Sequence, residues 1–383
     1  MIDMLIQRYD RQLLIYLGVL AVMGTVMLYS ASWYESFASS NGRTDMLYLQ
    51  GHLKRMLVGV FFLFGFLILD YRRLKEIAPY LVIGAIILLI ATKAYYLAKG
   101  FGWYKPARWL FVGPFTLQTS DFARMAIIVF MAYYIDKKRD QLKDFQMGLL
   151  PALSVLAVTM GLIVIQPDYS TALMIGAIGV LILFIGGAKI SQLSLAGAGA
   201  LLVGIPVLLS REYRRQRIFS FFGIGDNPEV GYQAGQSLIS LGNGGIFGVG
   251  LGNSIEKNHF LPTPHTDFIF AIIGEELGFI GILVLFFLFW FLFTRGLAVV
   301  QEAPDLFSMF LSFGIIISVM IYFLVNAAYV VGFAPTTGLP MPFISYGGSH
   351  TIFTLMSMGI LLNIARRGRV GSNTYYRGYS YDY

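Results

Sequence analysis

The stretch FIFAIIGEELGFIGILVLFFLFWFLF, residues 268–293, decides the fold class of this chain. It is long enough to cross a hydrocarbon core of about 30 Å at about 1.5 Å per helical residue. Similar apolar runs recur, for example at residues 13–28 and around 58–69. Hydrophobic residues make up 57% of the 383 positions and charged residues only 13%, against about a quarter charged in soluble domains. The sequence therefore predicts an all-α, polytopic membrane protein and excludes a soluble enzyme, a secreted disulfide scaffold and a disordered chain.

Two further features of the composition narrow the chemistry. The chain has no cysteine, which excludes thiol nucleophiles, thiolate metal sites and disulfides. Its net charge of +7 suits anionic lipid headgroups, because Lys and Arg concentrate at the cytoplasmic ends of membrane spans. We therefore expect no nucleic acid partner.

Apolar runs and the breaks between them predict about ten transmembrane helices. Their expected bounds are 12–31, 53–69, 77–95, 121–135, 147–165, 170–187, 189–209, 268–294, 306–330 and 347–365. Lys and Arg cluster after the second, fourth and tenth spans, whereas the short connections 166–169 and 331–346 carry neither. The positive-inside rule therefore predicts that both termini lie in the cytoplasm.

This topology leaves two long connections, 96–120 and 210–267, on the outer face. The second lies between spans seven and eight and is rich in glycine. Because long loops without structure are uncommon, we expect it to be partly helical. Residues 1–366 are expected to form one membrane domain, followed by a disordered cytoplasmic tail, 367–383.

Asp267 lies where the second long connection meets the eighth span. Pro262 and Pro264 hold the approach extended. A carboxylate in a first helical turn is stabilised by the helix dipole and needs no other function. His265, two residues away, and the basic segment earlier in the connection favour a larger role. On position alone, both a helix cap and a reactive carboxylate stay open.

Other acidic residues lie inside predicted spans. Glu275 and Glu276 are deeper in the eighth span, where a carboxylate costs about 2.5–3.5 kcal/mol on insertion scales. Such residues usually face the protein interior and pair, so a structural salt bridge is the simpler interpretation. Asp121 and Arg124, three residues apart at the start of the fourth span, can pair on one helix face and are also interpreted as structural.

Arginines and a glycine-rich segment are the candidate anion sites. The run REYRRQR, residues 211–217, predicts a cradle for a diphosphate, since guanidinium groups grip phosphate oxygens two at a time. The alternative is an interfacial stretch bound to lipid phosphates. Arg108 adds one guanidinium from the other long connection. Backbone amides around Ser345 and Ser349 can bind an anion at a helix start, unless this segment is only a re-entrant packing loop.

Together these motifs resemble the shape, elongation, division and sporulation (SEDS) family of polytopic glycosyltransferases, the group of RodA and FtsW. The segments that carry the resemblance are HTDFIFAIIGEELG (265–278), TGLPMPFISYGGS (337–349), ARW (107–109) and QPD (166–168). The resemblance covers about residues 12–366. The run GVGLGNSIEK, residues 248–257, brings it closer to the FtsW branch.

The resemblance implies that the chain polymerises lipid II, a disaccharide-peptide on undecaprenyl diphosphate, at the outer face of the bacterial cytoplasmic membrane. Asp267 corresponds to the family's essential aspartate and is the expected general base for the acceptor hydroxyl. The residues expected to bind the substrate are Arg108, Arg214, Arg215, Arg217, Lys257, His265, Ser345 and Ser349. The residues expected to have structural or supporting roles are Glu275, Glu276, Asp121 and Asp168.

The resemblance also implies partners, namely a class B penicillin-binding transpeptidase and other membrane proteins of the division or elongation machinery. No ligand motif demands a metal, which leaves a divalent cation such as Mg²⁺ or Mn²⁺ open. Two other functions stay open as well. A lipid II flippase would share the many spans and buried carboxylates, and a non-catalytic scaffold would make Asp267 replaceable.

Overall fold

The computed structural model describes residues 10–102, 107–113, 115–222, 224, 228–258 and 260–378, and this part of the chain is a helical bundle. Its α-helices are α1 (Arg11–Ser39), α2 (Leu47–Ile68), α3 (Arg72–Ala98), α4 (Thr119–Lys138), α5 (Leu150–Ile165), α6 (Tyr169–Ile185), α7 (Ile190–Leu209), α8 (Glu212–Phe221), α9 (Pro228–Gly244), α10 (Ile269–Gln301), α11 (Leu306–Val330) and α12 (Ser349–Gly378). A short antiparallel hairpin, β1 (Trp109–Val112) and β2 (Phe115–Gln118), precedes α4.

Each predicted span coincides with one of these helices. Within the described residues, seven helices are long and apolar enough to cross a membrane, and α6 is a shorter apolar helix. The all-α, polytopic fold class is therefore confirmed, while the number of ten crossings stays a prediction. Residues 367–378 continue α12, where a disordered tail was predicted. Residues 379–383 lie outside the described part of the chain.

Burial separates central from peripheral helices. In α11, 61% of the most apolar window is buried inside the molecule, against 6% in α7. The rings of Phe289 in α10 and Phe323 in α11 stack with their centroids 4.0 Å apart. Contacts of this kind hold membrane helices together, because lipid is as apolar as the side chains and van der Waals packing decides the association. The polar residues of α11 are therefore carried into the middle of the bundle.

Helix α10 is interrupted at Gly278, about 14 Å from its start at 1.5 Å per residue. Gly278 has φ +67°, and a Cβ atom there would lie 2.3 Å from the backbone nitrogen of Gly248, so only glycine fits. Residues 245–250, which we call the inserted loop, satisfy the backbone groups that the break releases. These hydrogen bonds run from Val249 N to Glu275 O (2.9 Å), from Gly250 N to Glu276 O (3.0 Å), from Phe279 N to Gly245 O (2.9 Å) and from Ile280 N to Ile246 O (3.2 Å).

The long connection 210–267 is partly helical, as predicted, because it contains α8 and α9. Helix α9 packs against its neighbours through two fully buried serines. Ser237 Oγ donates to Val330 O at 3.0 Å, and Ser240 Oγ donates to Glu275 at 2.9 Å. This packing attaches the connection to α10 and α11, next to the residues that precede α10.

Candidate active site

Asp267 lies two residues before the start of α10, and its side chain is half-buried. Its carboxylate stands beside Gly338, because a Cβ atom added to that glycine would lie 3.4 Å from Asp267 Oδ2. Gly338 has φ +70°, in the left-handed region that favours glycine. The segment before α10 and residues 336–339 therefore face each other across the carboxylate.

Two buried side chains of α11 hold the backbone of Asp267. Its carbonyl oxygen lies 3.0 Å from Asn326 Nδ2 and 2.6 Å from Tyr329 Oη. The same two donor atoms lie 2.8 and 3.1 Å from the carbonyl oxygen of Leu339. Asn326 and Tyr329 thus join the two segments that face each other at the carboxylate.

The electrostatic setting of Asp267 suits a base. Burial raises the pKa of Asp267 to about 6, while the positive charges of Arg217 and Arg108 and a hydrogen bond from Thr266 act in the opposite direction. At pH 7 the carboxyl group is then mostly deprotonated and yet basic enough to accept a proton. Those are the requirements for a general base at neutral pH.

Helix α8 supplies the arginines of the long connection, and they differ in their surroundings. Arg217 Nη1 donates to Thr336 O at 3.0 Å. Arg214 lies over the ring of Tyr169, 3.8 Å from its centroid. Arg215 is exposed. Of these three arginines, Arg217 is brought close enough for its charge to act on Asp267.

Arg108 reaches the site from the residue before β1. Its Nη1 lies 3.7 Å from Asp168 Oδ1, and its Nη2 donates to the carbonyl oxygen of Pro167. Asp168 also accepts a hydrogen bond from Gln118 Nε2 at 3.0 Å. The carboxylate of Asp168 therefore orients Arg108. The side chain of Arg108 is 30% exposed.

Ser349 and Asp121 belong to a buried network. Ser349 Oγ accepts a hydrogen bond from Gln118 N at 2.9 Å and donates to Asp121 Oδ2 at 2.7 Å. Asp121 Oδ1 lies 3.2 Å from His350 Nδ1 and 3.8 Å from Arg124 Nη2. The hydroxyl of Ser349 is thus engaged within the protein, so its placement does not support the expectation that it binds substrate.

Ser345 and His265 are also packed within the protein. Ser345 Oγ accepts a hydrogen bond from Met341 N at 2.9 Å. The His265 ring lies against Tyr48 and Tyr346, with centroid distances of 4.3 and 5.8 Å. Burial lowers the pKa of His265 to about 4, so the imidazole is neutral at pH 7 and supplies no charge to a phosphate. These placements favour packing roles over the expected binding of substrate.

Lys257, expected to bind the diphosphate, is instead buried in an ion pair. Its Nζ lies 2.7 Å from Glu276 Oε1, and it also donates to Gly252 O at 2.8 Å and to Ser30 Oγ at 3.2 Å. The two charged side chains are 1% and 0% exposed. All three ammonium protons are used within the protein, which leaves none for a phosphate. The expectation rested on charge alone, and the charge of Lys257 is neutralised by Glu276.

Glu275 fixes the neighbouring part of the same connection. It accepts hydrogen bonds from Ser254 Oγ at 2.6 Å, from Ser240 Oγ at 2.9 Å and from Ile255 N at 3.0 Å. A carboxylate with this many donors is well compensated for its burial. Both glutamates of α10 thus hold residues 249–257 in place.

Asn326 and Tyr329 are not among the residues that sequence patterns single out. The available signal was an amide side chain within the apolar run 306–330, because polar residues in membrane spans usually make internal contacts.

In the described parts of the chain, no group of three or more His, Cys, Asp or Glu residues could hold a metal ion.

The site combines a carboxylate of raised pKa with two guanidinium groups at one end of a helical bundle. It can remove a proton from a hydroxyl and stabilise negative charge that develops on a leaving phosphate. The fold and the site define the class of the protein. It is a multi-pass membrane protein whose polar site, at one end of the bundle, suits a transferase with a phosphate leaving group.

Comparison with known proteins identifies the family. The signature of the Cell cycle protein family, which covers FtsW, RodA and SpoVE, matches residues 11–370. The chain belongs to this family, as its motifs predicted. A probable peptidoglycan glycosyltransferase FtsW of Geobacter sulfurreducens is 38% identical over 371 residues, covering 94% of this chain and 96% of that protein. Stage V sporulation protein E of Bacillus subtilis is 35% identical over 363 residues, covering 94% and 98%.

Solved structures agree with this assignment. A chain of a peptidoglycan synthase complex that coordinates polymerization and crosslinking aligns with a TM-score of 0.76 at 25% identity, covering 94% of this chain and 98% of that one. The rod shape determining protein RodA of Thermus thermophilus aligns with a TM-score of 0.65 at 24% identity, covering 94% and 97%. The second comparison bears on the fold alone.

Proposed function

We propose that this chain is a peptidoglycan glycosyltransferase that polymerises lipid II into glycan strands, with Asp267 as general base. The observation that carries the proposal is the half-buried carboxylate of Asp267, whose pKa of about 6 is balanced between burial and the charges of Arg217 and Arg108. Relatives that share most of the chain carry the name peptidoglycan glycosyltransferase.

The reaction follows from the chemistry of these groups. The acceptor hydroxyl gives its proton to the carboxylate of Asp267, and its oxygen attacks the anomeric carbon of the donor sugar. The bond from that carbon to the lipid diphosphate breaks, and the diphosphate leaves with the electron pair. Arg217 and Arg108 stabilise its growing charge. A divalent cation that accompanies the diphosphate, such as Mg²⁺ or Mn²⁺, is compatible with this scheme. A single displacement of this kind inverts the anomeric configuration.

The proposal includes a location and partners. The distribution of Lys and Arg supports an orientation with both termini in the cytoplasm and the Asp267 end at the outer face of the bacterial cytoplasmic membrane. A structural relative is part of a peptidoglycan synthase complex, which supports a class B penicillin-binding transpeptidase as partner, beside other membrane proteins of division or elongation. The flippase alternative is not favoured, because the charged groups nearest Asp267 lie at one end of the bundle and the relatives are named as transferases.

The test uses purified full-length protein with its transpeptidase partner, fluorescent lipid II and separation of glycan products by gel. Wild type is expected to form polymer, and Asp267→Asn is expected to form it at least about 10²-fold more slowly under the same conditions. Transport of lipid II across liposome membranes without polymer, by wild type, would reject the proposal in favour of a flippase.

The rate of polymerisation is expected to rise with pH through about 6. Because the pKa of Asp267 is raised to about 6, the deprotonated, active fraction is half at that pH and about a tenth one unit below it. We expect kcat/KM, measured from pH 5 to 8, to reach its plateau above pH 7. An acid limb centred near pH 4 would show an ordinary, solvated carboxyl group instead.

Replacing Arg217 by Gln is expected to lower kcat/KM by roughly 10- to 100-fold, because a charged donor to the leaving diphosphate is lost. The acid limb should also move to higher pH, since the positive charge of Arg217 lowers the pKa of Asp267. The matched control is Arg43→Gln, which removes an exposed guanidinium from the turn after α1. Equal losses in both variants would assign the effect to net charge rather than to the site.

A further inference from the structure

Asn326 and Tyr329 form a hydrogen-bonded clip that the chemistry above does not use. Both side chains are 0% exposed, although each carries polar atoms. Asn326 Nδ2 and Tyr329 Oη lie 2.7 Å apart, and both lie within 3.1 Å of the carbonyl oxygens of Asp267 and Leu339. Buried polar side chains are tolerated where their hydrogen bonds are made.

The clip has three protons for five short contacts, so the three shortest contacts are assigned as its hydrogen bonds. An amide nitrogen has two hydrogens and a phenol has one. Tyr329 donates to Asp267 O, its shortest contact at 2.6 Å. Asn326 donates to Leu339 O at 2.8 Å and to Tyr329 Oη at 2.7 Å. The two side chains then act as one unit, and the phenol depends on the amide for its orientation.

The clip fixes the geometry of the carboxylate. Asp267 and Leu339 belong to different non-helical segments, and the carboxylate of Asp267 lies beside Gly338, the residue before Leu339. Residue Thr336 of the same segment accepts the hydrogen bond from Arg217. A displacement of either segment would therefore change the distance between the carboxylate and the guanidinium.

We propose that Asn326 and Tyr329 are positioning residues that hold Asp267 against residues 336–339 and so set the location of the base. This inference rests on the proposed role of Asp267. The helix pair α10 and α11 also packs through the stacked rings of Phe289 and Phe323. Loss of one hydroxyl from the clip should thus leave the helices assembled and release only the segment before α10.

The titration of Asp267 reports its position. The groups that act on it are the guanidiniums of Arg217 from α8 and Arg108 from the residue before β1, and the hydroxyl of Thr266 beside it. Tyr329 from α11 faces residue 267 by donating to its carbonyl oxygen. Residues 336–339 add the Thr336 carbonyl and the uncharged Gly338. His265 is neutral at pH 7. Because burial is the main cause of the raised pKa, a carboxylate that moves towards water will titrate at lower pH.

The experiment compares the pH profiles of polymerisation by wild type, Tyr329→Phe and Asn326→Leu, with the full chain and its partner. We expect plateau rates about 10- to 100-fold lower in both variants, and an acid limb shifted down by about half a pH unit or more. The matched control is Ser312→Ala, which removes a fully buried hydroxyl of α11 that makes no hydrogen bond within the described residues. It should leave both plateau and limb unchanged.

A smaller folded fraction lowers the plateau rate of polymerisation but cannot shift the acid limb of its pH profile. An unshifted limb in both Tyr329→Phe and Asn326→Leu would therefore overturn the positioning role. The fate of the proposed function is read separately from Asp267→Asn. If that variant polymerises lipid II, the base is misassigned. If it is inactive while the two clip variants titrate like wild type, only the inference about Asn326 and Tyr329 fails.

Discussion

Protein with Asp267 replaced by Asn is expected to polymerise lipid II about 10²- to 10⁴-fold more slowly than wild type, which is the range for loss of a general base. Asn keeps the size of the side chain, but one acceptor oxygen becomes an NH₂ donor and the amide cannot accept the acceptor's proton at neutral pH. The backbone contacts to Asn326 and Tyr329 involve the carbonyl oxygen of residue 267, so they survive the change. The initial rate of glycan formation measures the loss.

The control for this variant is Asp45→Asn, which makes the same chemical change in the turn before α2. Asp45 accepts a hydrogen bond from Tyr29 at 2.8 Å and is not one of the groups that shift the pKa of Asp267. Its replacement should leave the rate within about twofold of wild type, as is usual for residues away from such features. Polymer formation by Asp267→Asn at the wild-type rate would eliminate this residue as the base.

Lys257→Met is expected to lower the free energy of unfolding by about 3–5 kcal/mol, the usual loss when one partner of a buried ion pair is removed. In this variant the Glu276 carboxylate, which is 0% exposed, loses its counter-charge and keeps the hydrogen bond from Ser30 Oγ. Glu276→Gln should cost a similar amount, because it leaves the ammonium of Lys257 without its counter-charge. Unfolding in detergent, followed by helix content, measures both.

The double variant Lys257→Met, Glu276→Gln separates the ion pair from its individual charges. With both charges gone, no buried ion is left uncompensated, so we expect the double variant to be clearly more stable than either single one. A double variant whose loss equals the sum of the two single losses would show that the two residues act independently, contrary to the 2.7 Å contact.

The fold was predictable because membrane helices are encoded by runs of consecutive residues. Each span predicted from hydropathy coincides with a helix, and the bounds agree for α11 at residues 306–330, whereas α1 and α10 end eight and seven residues later than predicted. The break at Gly278 was hidden, since apolar residues flank it on both sides and its backbone partners come from residues 245–250. This pairing joins the break to a loop about thirty residues earlier in the sequence, and no local sequence pattern predicts such a contact.

The site was predictable in part for the same reason. Asp267 stands out because two prolines and a helix start mark its position, but Arg214 and Arg217 look alike in sequence and only the phase of α8 separates them. The ion pair of Lys257 was hidden because its counter-charge depends on tertiary packing. Ser30, which contacts both members of the ion pair, lies 246 positions from Glu276. Charge and spacing cannot reveal a contact of that range.

The inserted loop at Gly278 has a consequence for motion. Withdrawing residues 245–250 from α10 would uncover four backbone polar groups within the bundle, at about 1–3 kcal/mol each. The inserted loop and the two halves of α10 are therefore held together at the break, and Asp267 stands two residues before the first half. We therefore expect the helix that follows Asp267 to keep its position, so that a substrate brings its hydroxyl to Asp267.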